Sequence, residues 1–213
     1  MKVGIICAMQ SELDLVSRAD FGNRNEVRCF LSGMGKVNAA LAAARLIHDF
    51  APDCIINAGV AGSLRSEIRE GAVVIGAETA YHDTWCGGSN PYGVIEGLPQ
   101  RFQAHPVLLE AAVGCAPDLH CGLIITGDQF YIDEREDARQ RRLYSDALAV
   151  DMESAAIAHA CYLFIVPFLS FRIISDSHDD GHQLDNYTNF WNSLAQRSFV
   201  VIEKLLNALP DRI

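Results

Sequence analysis

The 213-residue sequence is short of positive charge. Its 17 Lys and Arg stand against 27 Asp and Glu, which gives a formal net charge of -10. Proteins that bind nucleic acid concentrate Lys and Arg on one face to neutralise phosphates. The basic cluster of Arg139, Arg141 and Arg142 is too short to reverse the balance and is typical of a solvated helix face. A nucleic-acid partner is therefore not expected.

Long apolar runs are also missing. No stretch of the sequence is long enough to span a bilayer, so no membrane partner is expected. The first residues, MKVGIICAMQSE, carry one lysine and a brief apolar run that ends at Gln10. No cleavage pattern follows that run, which favours a first core strand over a signal peptide.

Paired cysteine motifs are absent as well. The seven cysteines are odd in number and scattered, and none forms a CxxC pair. Most lie in apolar runs such as GIICAM and DCIINAG, where a reduced thiol acts as a small core residue. This usage predicts a reducing, cytoplasmic compartment.

No linker, repeat or low-complexity tract divides the sequence, and 50% of its residues are hydrophobic. A chain of this length can bury a substantial core without disulfides or a structural metal. We therefore expect one domain over residues 1–213.

Short β-branched runs alternate with helical patterns along the chain. Strands are predicted at 2–6, 26–31, 53–58, 71–81, 121–126, 147–150 and 167–175. Helices are predicted at 11–18, 36–50, 106–116, 133–143, 153–163 and 188–208. This alternation predicts an α/β layer fold with a buried, mostly parallel sheet. The strand at 71–81 is long enough to bend or to serve two edges.

Ligands of such sheets bind beyond the carboxyl ends of the strands, so the residues after each strand are the candidates for a site. Glycines, hydroxyls, aromatics and carboxylates collect there repeatedly. These segments are 9–12, 32–36, 57–63, 81–83, 126–131, 151–153 and 175–177. The repetition across segments carries more weight than any one motif.

Two of these segments, SGMGK and NAGVAGS, read as glycine-rich turns after strands. Glycine lets backbone N–H groups approach a phosphate or a ribose closely. Neither segment is a Walker A loop, and neither has the third glycine of a dinucleotide fingerprint. Each alone is more often a tight turn than a site. In TGDQFY, the adjacent Phe130 and Tyr131 can stack on a flat heterocycle if they lie at a ligand edge.

The segment SDSHDDGH, residues 175–182, resembles a metal cluster because it holds two His and three Asp. No helical frame fixes the rings of His178 and His182 together, and no cysteine joins them. We expect no metal site there.

Four charged residues interrupt the apolar stretch 148–177, namely Asp151, Glu153, Arg172 and Asp176. A buried charge is costly unless it is paired or has a function. Glu153 and Asp176 are predicted to point inward at adjacent strand ends, with Arg172 close by. Two interpretations stay open: a structural ion pair with Arg172, or carboxylates that do chemistry or bind hydroxyls. Glu12, taken alone, reads as a first-turn helix acid stabilised by the dipole.

Seven segments, in order and at nearly the same spacing, resemble the bacterial 5'-methylthioadenosine/S-adenosylhomocysteine nucleosidases of the nucleoside phosphorylase superfamily. They are GIICAMQSE, SGMGKVNAA, INAGVAGSL, YHD, GDQF, AVDMESAAIAH and VPFLSFRIISD. The resemblance runs nearly end to end. It implies an α/β three-layer sandwich with a central mixed, mostly parallel sheet flanked by helices, and a homodimer. It also implies hydrolysis of the N-glycosidic bond of adenine thionucleosides, with no metal and no cofactor.

The resemblance also implies roles for three carboxylates. Glu12 would activate the attacking water. Glu153 would hold the ribose hydroxyls, with Met152 against the sugar face. Asp176, oriented by Ser175, would donate a proton toward adenine N7. Bond cleavage of this kind needs an acid for the purine and a base for the water, which parallels glycoside hydrolysis.

The remaining implied contacts are to the substrate. Phe130 would stack on adenine, Tyr131 would contribute backbone contacts to the base edge, and Arg172 would lie near the water. Met9, Met34 and Val60, from the segments that follow strands, complete the substrate-binding set.

The sequence departs from the family at several places. The segment 14–32 is shorter, with one strand where a hairpin is expected, and the segment 83–100 does not align well. Val60 stands where relatives often carry serine, and Asp151 replaces a common glutamate. The 5' substituent of the substrate is therefore left open.

Three alternatives remain at this stage. A phosphorolytic enzyme of the same superfamily would need cationic or hydroxyl groups on the glycine-rich segments, and Lys36, Ser63 and Arg65 keep it open. A nucleosidase for an adenosine with another 5' chain is a related alternative. A non-catalytic nucleoside-binding protein is the third, and the three retained carboxylates speak against it.

Overall fold

The computed structural model of the protein describes residues 1–21, 24–116, 119–130, 134–177, 183–193 and 195–213. The strands are β1 (Lys2–Cys7), β2 (Glu26–Leu31), β3 (Cys54–Ser63), β4 (Val73–Tyr81), β5 (Phe102–Gln103), β6 (Leu119–Thr126), β7 (Ala147–Asp151) and β8 (Phe168–Ser177). The helices are α1 (Gln10–Val16), α2 (Lys36–Phe50), α3 (Pro106–Ala112), α4 (Glu134–Leu143), α5 (Ser154–Phe164), α6 (Gln183–Ser193) and α7 (Ala195–Ala208).

The strands form one mixed sheet. Among the described residues, five strand pairs are parallel, namely β1–β2, β1–β3, β3–β8, β4–β6 and β6–β7. Three pairs are antiparallel, namely β3–β7, β4–β5 and β4–β8. The predicted fold class, an α/β fold with a mixed, mostly parallel sheet flanked by helices, is confirmed.

Strand β8 closes part of this sheet into a ring, because it pairs with both β3 and β4. The ring runs through β3, β7, β6, β4 and β8, and β1 and β2 extend from it beside β3. Strand β4 makes the closure possible: its first half, Val73–Gly76, pairs with β8, and its second half pairs with β5. Of the two alternatives left open from the sequence, that this strand bends or that it serves two edges, the structure shows the second.

Both faces of the sheet are buried, and strand β1 shows how. Val3 and Ile5 face one hydrophobic core, which α7 covers with Leu205 and other residues. Ile6 faces the other core, beside Leu46 of α2. Side chains alternate between faces along a strand, so a strand covered on both sides reads as a continuous apolar run.

Two predicted elements are wrong. NAGVAGS is not a turn, because β3 continues through it to Ser63, paired with β8 along its whole length. The helix predicted to begin at residue 188 begins earlier, because α6 starts at Gln183. Apolar residues at helical spacing do not mark this start.

Helix α5 ends at a strained residue. Ile165 follows it in the left-handed conformation, with φ of 58°, and its side chain is 91% exposed. A β-branched side chain is unfavourable there, whereas glycine adopts this conformation without a Cβ penalty.

We therefore expect Ile165→Gly to stabilise the protein by about 1 kcal/mol, which corresponds to roughly 2–4 °C in Tm for a chain of this size. Thermal unfolding of the two proteins measures the difference. A Tm equal to or below that of the wild type would contradict the strain assigned to Ile165.

Candidate active site

A pocket with about 540 Å³ of empty space opens at the carboxyl ends of β1, β7 and β8. Nine of the eleven predicted site residues line it, namely Met9, Glu12, Met34, Val60, Phe130, Met152, Glu153, Ser175 and Asp176. Of the other two, Arg172 is completely buried beneath the wall, and Tyr131 lies outside the described residues. The pocket lies where the strand ends of an α/β sheet are expected to bind ligands.

Glu12 is the third residue of α1, and its carboxylate is held by three backbone N–H groups. Oε2 accepts from Ala8 at 2.9 Å and from Met9 at 3.0 Å, and Oε1 accepts from Val60 on β3 at 2.9 Å. Burial raises the pKa of this carboxyl, although Arg172 and the three N–H groups oppose the rise. Glu12 is thus a first-turn acid that is also fixed at the pocket wall, with a pKa moved toward neutrality.

Gly59 of β3 explains why NAGVAGS is rich in glycine. A side chain at this position would overlap Nη1 of Arg172 and Oε1 of Glu12. The glycine therefore lets the guanidinium and the carboxylate approach each other across the strand. The close approach predicted for this segment exists, but its partners are protein side chains.

Glu153 occupies the N-cap position of α5, but its side chain does not cap that helix. Oε1 accepts from the Gly35 N–H at 3.0 Å, and Oε2 lies 3.6 Å from Nη2 of Arg172. Burial raises the pKa of Glu153 and the nearby Asp151 adds to the rise, against the attraction of Arg172. The SGMGK turn thus presents a backbone N–H to a carboxylate of the pocket.

Arg172 pairs most closely with Asp151, since Nε and Oδ2 are 2.8 Å apart and both side chains are buried. Its Nη2 also donates to Asn57 Oδ1 and, at 3.1 Å, to Ser154 Oγ. The structural ion pair considered from the sequence therefore exists, and its closest carboxylate is Asp151.

The prediction that Glu153 and Asp176 lie at adjacent strand ends is wrong. Strand β3 runs between β7 and β8, and its Gly62 pairs with Val150 on one side and Asp176 on the other. The two carboxylates still line one pocket, because the intervening β3 position is a glycine without a side chain.

A β-bulge sets the direction of Asp176. Ala61 of β3 pairs with Ile174, and Gly62 pairs with Asp176, so Ser175 is an extra residue on β8. Consecutive strand residues normally point to opposite faces, but a bulge redirects a side chain, and both Ser175 and Asp176 line the pocket. The Ser175 hydroxyl donates to Oδ1 of Asp176 at 2.6 Å. Oδ2 is buried and has no hydrogen-bond partner among the described residues.

The opposite wall is aromatic. The rings of Phe130 and Tyr187 meet edge to face, with centroids 5.3 Å apart. The Tyr187 hydroxyl donates to the Met9 sulfur at 3.2 Å, and Gln183 donates to the Phe130 carbonyl at 3.2 Å. Gln183 and Tyr187 were not predicted as site residues, because the helix that carries them was predicted to begin at residue 188.

Arg65 and Ser63, two of the residues that could favour phosphate binding, make their hydrogen bonds to other parts of the protein. Arg65 donates to the carbonyls of Ala147, at 2.9 Å, and Ser145. The Ser63 hydroxyl donates to the Arg65 carbonyl at 2.8 Å and accepts from its N–H. Neither side chain is part of the pocket wall.

Lys36 is also engaged outside the pocket. Its ammonium lies 2.6 Å from Asp83 and 3.7 Å from Asp128. The Asp128 carboxylate in turn accepts from the Lys36 N–H at 2.7 Å. This cluster ties the SGMGK turn to the loops after β4 and β6.

The described part of the chain contains no group of three or more His, Cys, Asp and Glu side chains placed to hold a metal ion. His178 and His182, the candidates from the sequence, lie outside the described part. None of its helices is both long and apolar enough to cross a membrane.

Comparison with known proteins identifies the class. A family profile described as the phosphorylase superfamily matches residues 2–207. The chain therefore belongs to the phosphorylase superfamily.

Solved structures narrow the class further. The chain is 32% identical to a 5'-methylthioadenosine/S-adenosylhomocysteine nucleosidase from Neisseria meningitidis, with a TM-score of 0.89 and coverage of 98% of this chain and 99% of that one. It is 33% identical to the MTA/SAH nucleosidase of Streptococcus pneumoniae, with a TM-score of 0.88 and coverage of 98% and 100%. At this identity and coverage, the chain belongs to the family of these nucleosidases. Futalosine hydrolase from Helicobacter pylori is similar at 25% identity, with a TM-score of 0.89 and 98% of each chain covered.

The raised pKa of Glu153 makes a prediction about stability. A carboxyl whose folded pKa is above its unfolded value contributes stability at low pH and loses it as pH rises through the folded pKa. Glu153→Gln cannot ionise, so its Tm should fall less than that of the wild type between about pH 5 and pH 8.

Glu78 offers a control of opposite sign, because hydrogen bonds from Gln103 and Arg101 lower its pKa. The contribution of Glu78 to stability is lost only as pH falls through that lowered pKa. Glu78→Gln should therefore lower Tm by a similar amount at about pH 5 and at about pH 8. If Glu153→Gln and the wild type lose Tm equally between the two pH values, the pKa of Glu153 is not raised.

Proposed function

We propose that this protein hydrolyses the N-glycosidic bond of 5'-methylthioadenosine and S-adenosylhomocysteine and releases adenine. The observation that carries the proposal is the meeting of Glu12, Glu153 and Asp176 in one pocket beside Phe130. Related nucleosidases have been solved with adenine, 8-aminoadenine and methylthio-immucillin-A, which supports an adenine nucleoside as the ligand.

Asp176 is the proposed acid. The C1'–N9 bond breaks with its electron pair moving to the purine, so the leaving base needs a proton, and N7 is the atom that receives it. Because the Ser175 hydroxyl donates to Oδ1, a proton carried by Asp176 lies on Oδ2. That oxygen has no hydrogen-bond partner in the described structure, which leaves it available to the base. Phe130, in the same wall, would stack on the purine.

Glu12 is the proposed base. A water oxygen bonds to C1' of the sugar as the C1'–N9 bond breaks, and a proton of that water passes to the Glu12 carboxylate. Three N–H groups fix that carboxylate in place, so little reorganisation is needed in the transition state. The raised pKa suits proton uptake near neutral pH.

Glu153 is the proposed ribose ligand. Its Oε1 is held by the Gly35 N–H, and the carboxylate borders the pocket next to Met152. A carboxylate accepts hydrogen bonds from two neighbouring hydroxyls and also stabilises positive charge that develops on the sugar. Met152 would pack against the sugar face.

Phosphorolysis by this pocket is disfavoured. A phosphate nucleophile needs cationic or hydroxyl donors beside the sugar. Arg65, Ser63 and Lys36 are bonded to other groups, and Val60 lines the pocket with an apolar side chain. Arg172, the cation buried beneath the pocket wall, is paired with Asp151 and Glu153.

The decisive experiment measures adenine release from 5'-methylthioadenosine and S-adenosylhomocysteine, and base release from inosine, each with and without phosphate. We expect turnover of the two thionucleosides without phosphate and no acceleration when phosphate is added. Turnover that requires phosphate or arsenate would make the protein a phosphorylase. Binding without turnover in any arm would make it a nucleoside-binding protein.

We also propose a homodimer. Met34, Val37 and Leu41 form an exposed apolar stripe beside the pocket, with exposures of 60%, 70% and 66%. A cluster of this kind next to a ligand site commonly marks a protein interface, and two-fold dimers are the commonest oligomers. The single domain over residues 1–213 proposed from the sequence would then be the protomer, and the family match over residues 2–207 supports it.

Light scattering after size exclusion tests the dimer. The wild type should elute with twice the mass of one chain, and Leu41→Glu should shift it toward the monomer. Leu163→Glu is the matched control, because Leu163 is 60% exposed on the far end of α5. A monomeric wild type, or dissociation by Leu163→Glu alone, would contradict this interface.

All seven cysteines are free thiols, which supports a reducing compartment. We propose that the enzyme works in the cytoplasm, in methionine salvage, and cell fractionation tests the location.

A further inference from the structure

Asp151, the last residue of β7, is saturated with hydrogen-bond donors. Its Oδ1 accepts from the Thr126 hydroxyl at 2.6 Å and from the N–H groups of Glu153 and Ser154, each at 3.2 Å. Its Oδ2 accepts from Arg172 Nε at 2.8 Å and from the Ser154 hydroxyl. A carboxylate has about four lone-pair sites, so five donors leave none for a substrate, although Asp151 borders the pocket.

The first group of contacts concerns the start of α5. An N-cap side chain usually accepts from the first N–H groups of its own helix, but Glu153 does not. Asp151 accepts hydrogen bonds from the N–H groups of Glu153 and Ser154, and the Thr126 hydroxyl accepts one from the Ala155 N–H at 2.9 Å. Capping by Asp151 and Thr126 leaves the Glu153 carboxylate available to the pocket.

The second group concerns Arg172. Asp151 holds Nε of the planar guanidinium, and this fixes the directions of the other two nitrogens. Nη2 then faces Glu153 at 3.6 Å, and Nη1 lies against Gly59 together with Glu12. The charge of Arg172 therefore acts on three carboxylates, those of Asp151, Glu153 and Glu12.

We propose that Asp151 is a positioning residue for the hydrolysis, which aims Glu153 through the start of α5 and places Arg172 against Glu12. This inference rests on the proposed function, because it assigns Glu12 and Glu153 their parts in that reaction. The five donors to Asp151 leave its carboxylate no lone pair for the substrate or the water.

Asp151→Asn keeps the size of the side chain and removes its charge. We expect kcat for adenine release to fall by about 10–100-fold, because two carboxylates lose their fixed geometry. Arg172 would then be shared by two carboxylates only, which lowers their pKa values. The acid limb of the kcat/KM profile should therefore move to lower pH.

Two further titratable groups near these residues, Cys7 and Tyr187, do not affect this pH dependence. Burial raises the pKa of the Cys7 thiol well above its usual value and also raises that of Tyr187, so both stay neutral between about pH 5 and pH 8. Asp146→Asn is the charge-matched control, since Asp146 pairs with Arg101 outside the pocket. It should leave kcat and the pH profile unchanged.

A second measurement does not depend on substrate. In the wild type, the raised pKa values of Glu12 and Glu153 make Tm fall as pH rises from about 5 to 8. This fall should be smaller in Asp151→Asn. If the wild type cleaves no nucleoside while the flatter Tm profile appears, the proposed function fails and the placement of Arg172 by Asp151 stands.

If Asp151→Asn does not fold, Thr126→Val replaces it in the kinetic test. This variant removes one donor to Asp151 and the acceptor of the Ala155 N–H. Its kcat should fall severalfold. The inference is overturned if kcat and the acid limb of Asp151→Asn match the wild type while its stability falls, since the lost contact would then be structural only. Wild-type kcat in Thr126→Val would overturn it equally.

Discussion

The charge of Arg172, buried completely in the middle of the sheet, is the constraint on which the site depends. Removing an ion from water costs several kcal/mol unless opposite charges and hydrogen bonds surround it. Asp151, Glu153 and Glu12 supply those charges, and Asn57 and Ser154 supply further acceptors. The carboxylates are buried in their turn, and the pKa values of Glu12 and Glu153 are raised. With one cation for three carboxylates, burial outweighs the attraction of Arg172 and leaves the pKa values of Glu12 and Glu153 above their usual range.

Local backbone features serve this charge cluster. Gly59 removes the side chain that would separate Arg172 from Glu12, and Gly35 presents its N–H to Glu153. The bulge at Ser175 turns Asp176 into the pocket from a strand that is otherwise buried in the core. Gly62 stands between β7 and β8 and leaves the space in which the carboxylates of both strands share one pocket. Each feature looks like a tight turn or a plain strand in the sequence.

Much of the fold and most of the site residues could be predicted, because both follow from local patterns. The alternation of strands and helices indicated the layers, and the polar residues after each strand indicated the pocket wall. The closure of the ring could not be predicted, since the pairing of β4 with β8 joins segments about a hundred residues apart. Tyr187 was missed because apolar periodicity does not mark where α6 begins. The preference of Arg172 for Asp151 depends on side-chain geometry across three strands, which the sequence does not encode locally.

The most direct test of the account asks whether Asp176 is needed only when the leaving group must be protonated. Asp176→Asn would be assayed with 5'-methylthioadenosine and with the p-nitrophenyl glycoside of the same thiosugar, whose leaving group departs without a proton. Adenine release should fall by about 10²–10⁴-fold, the usual contribution of a general acid. Release of p-nitrophenol should stay within a few-fold of the wild type. Equal losses with both substrates, or normal adenine release, would contradict the assignment of Asp176 as the acid of an N-glycosidic hydrolase.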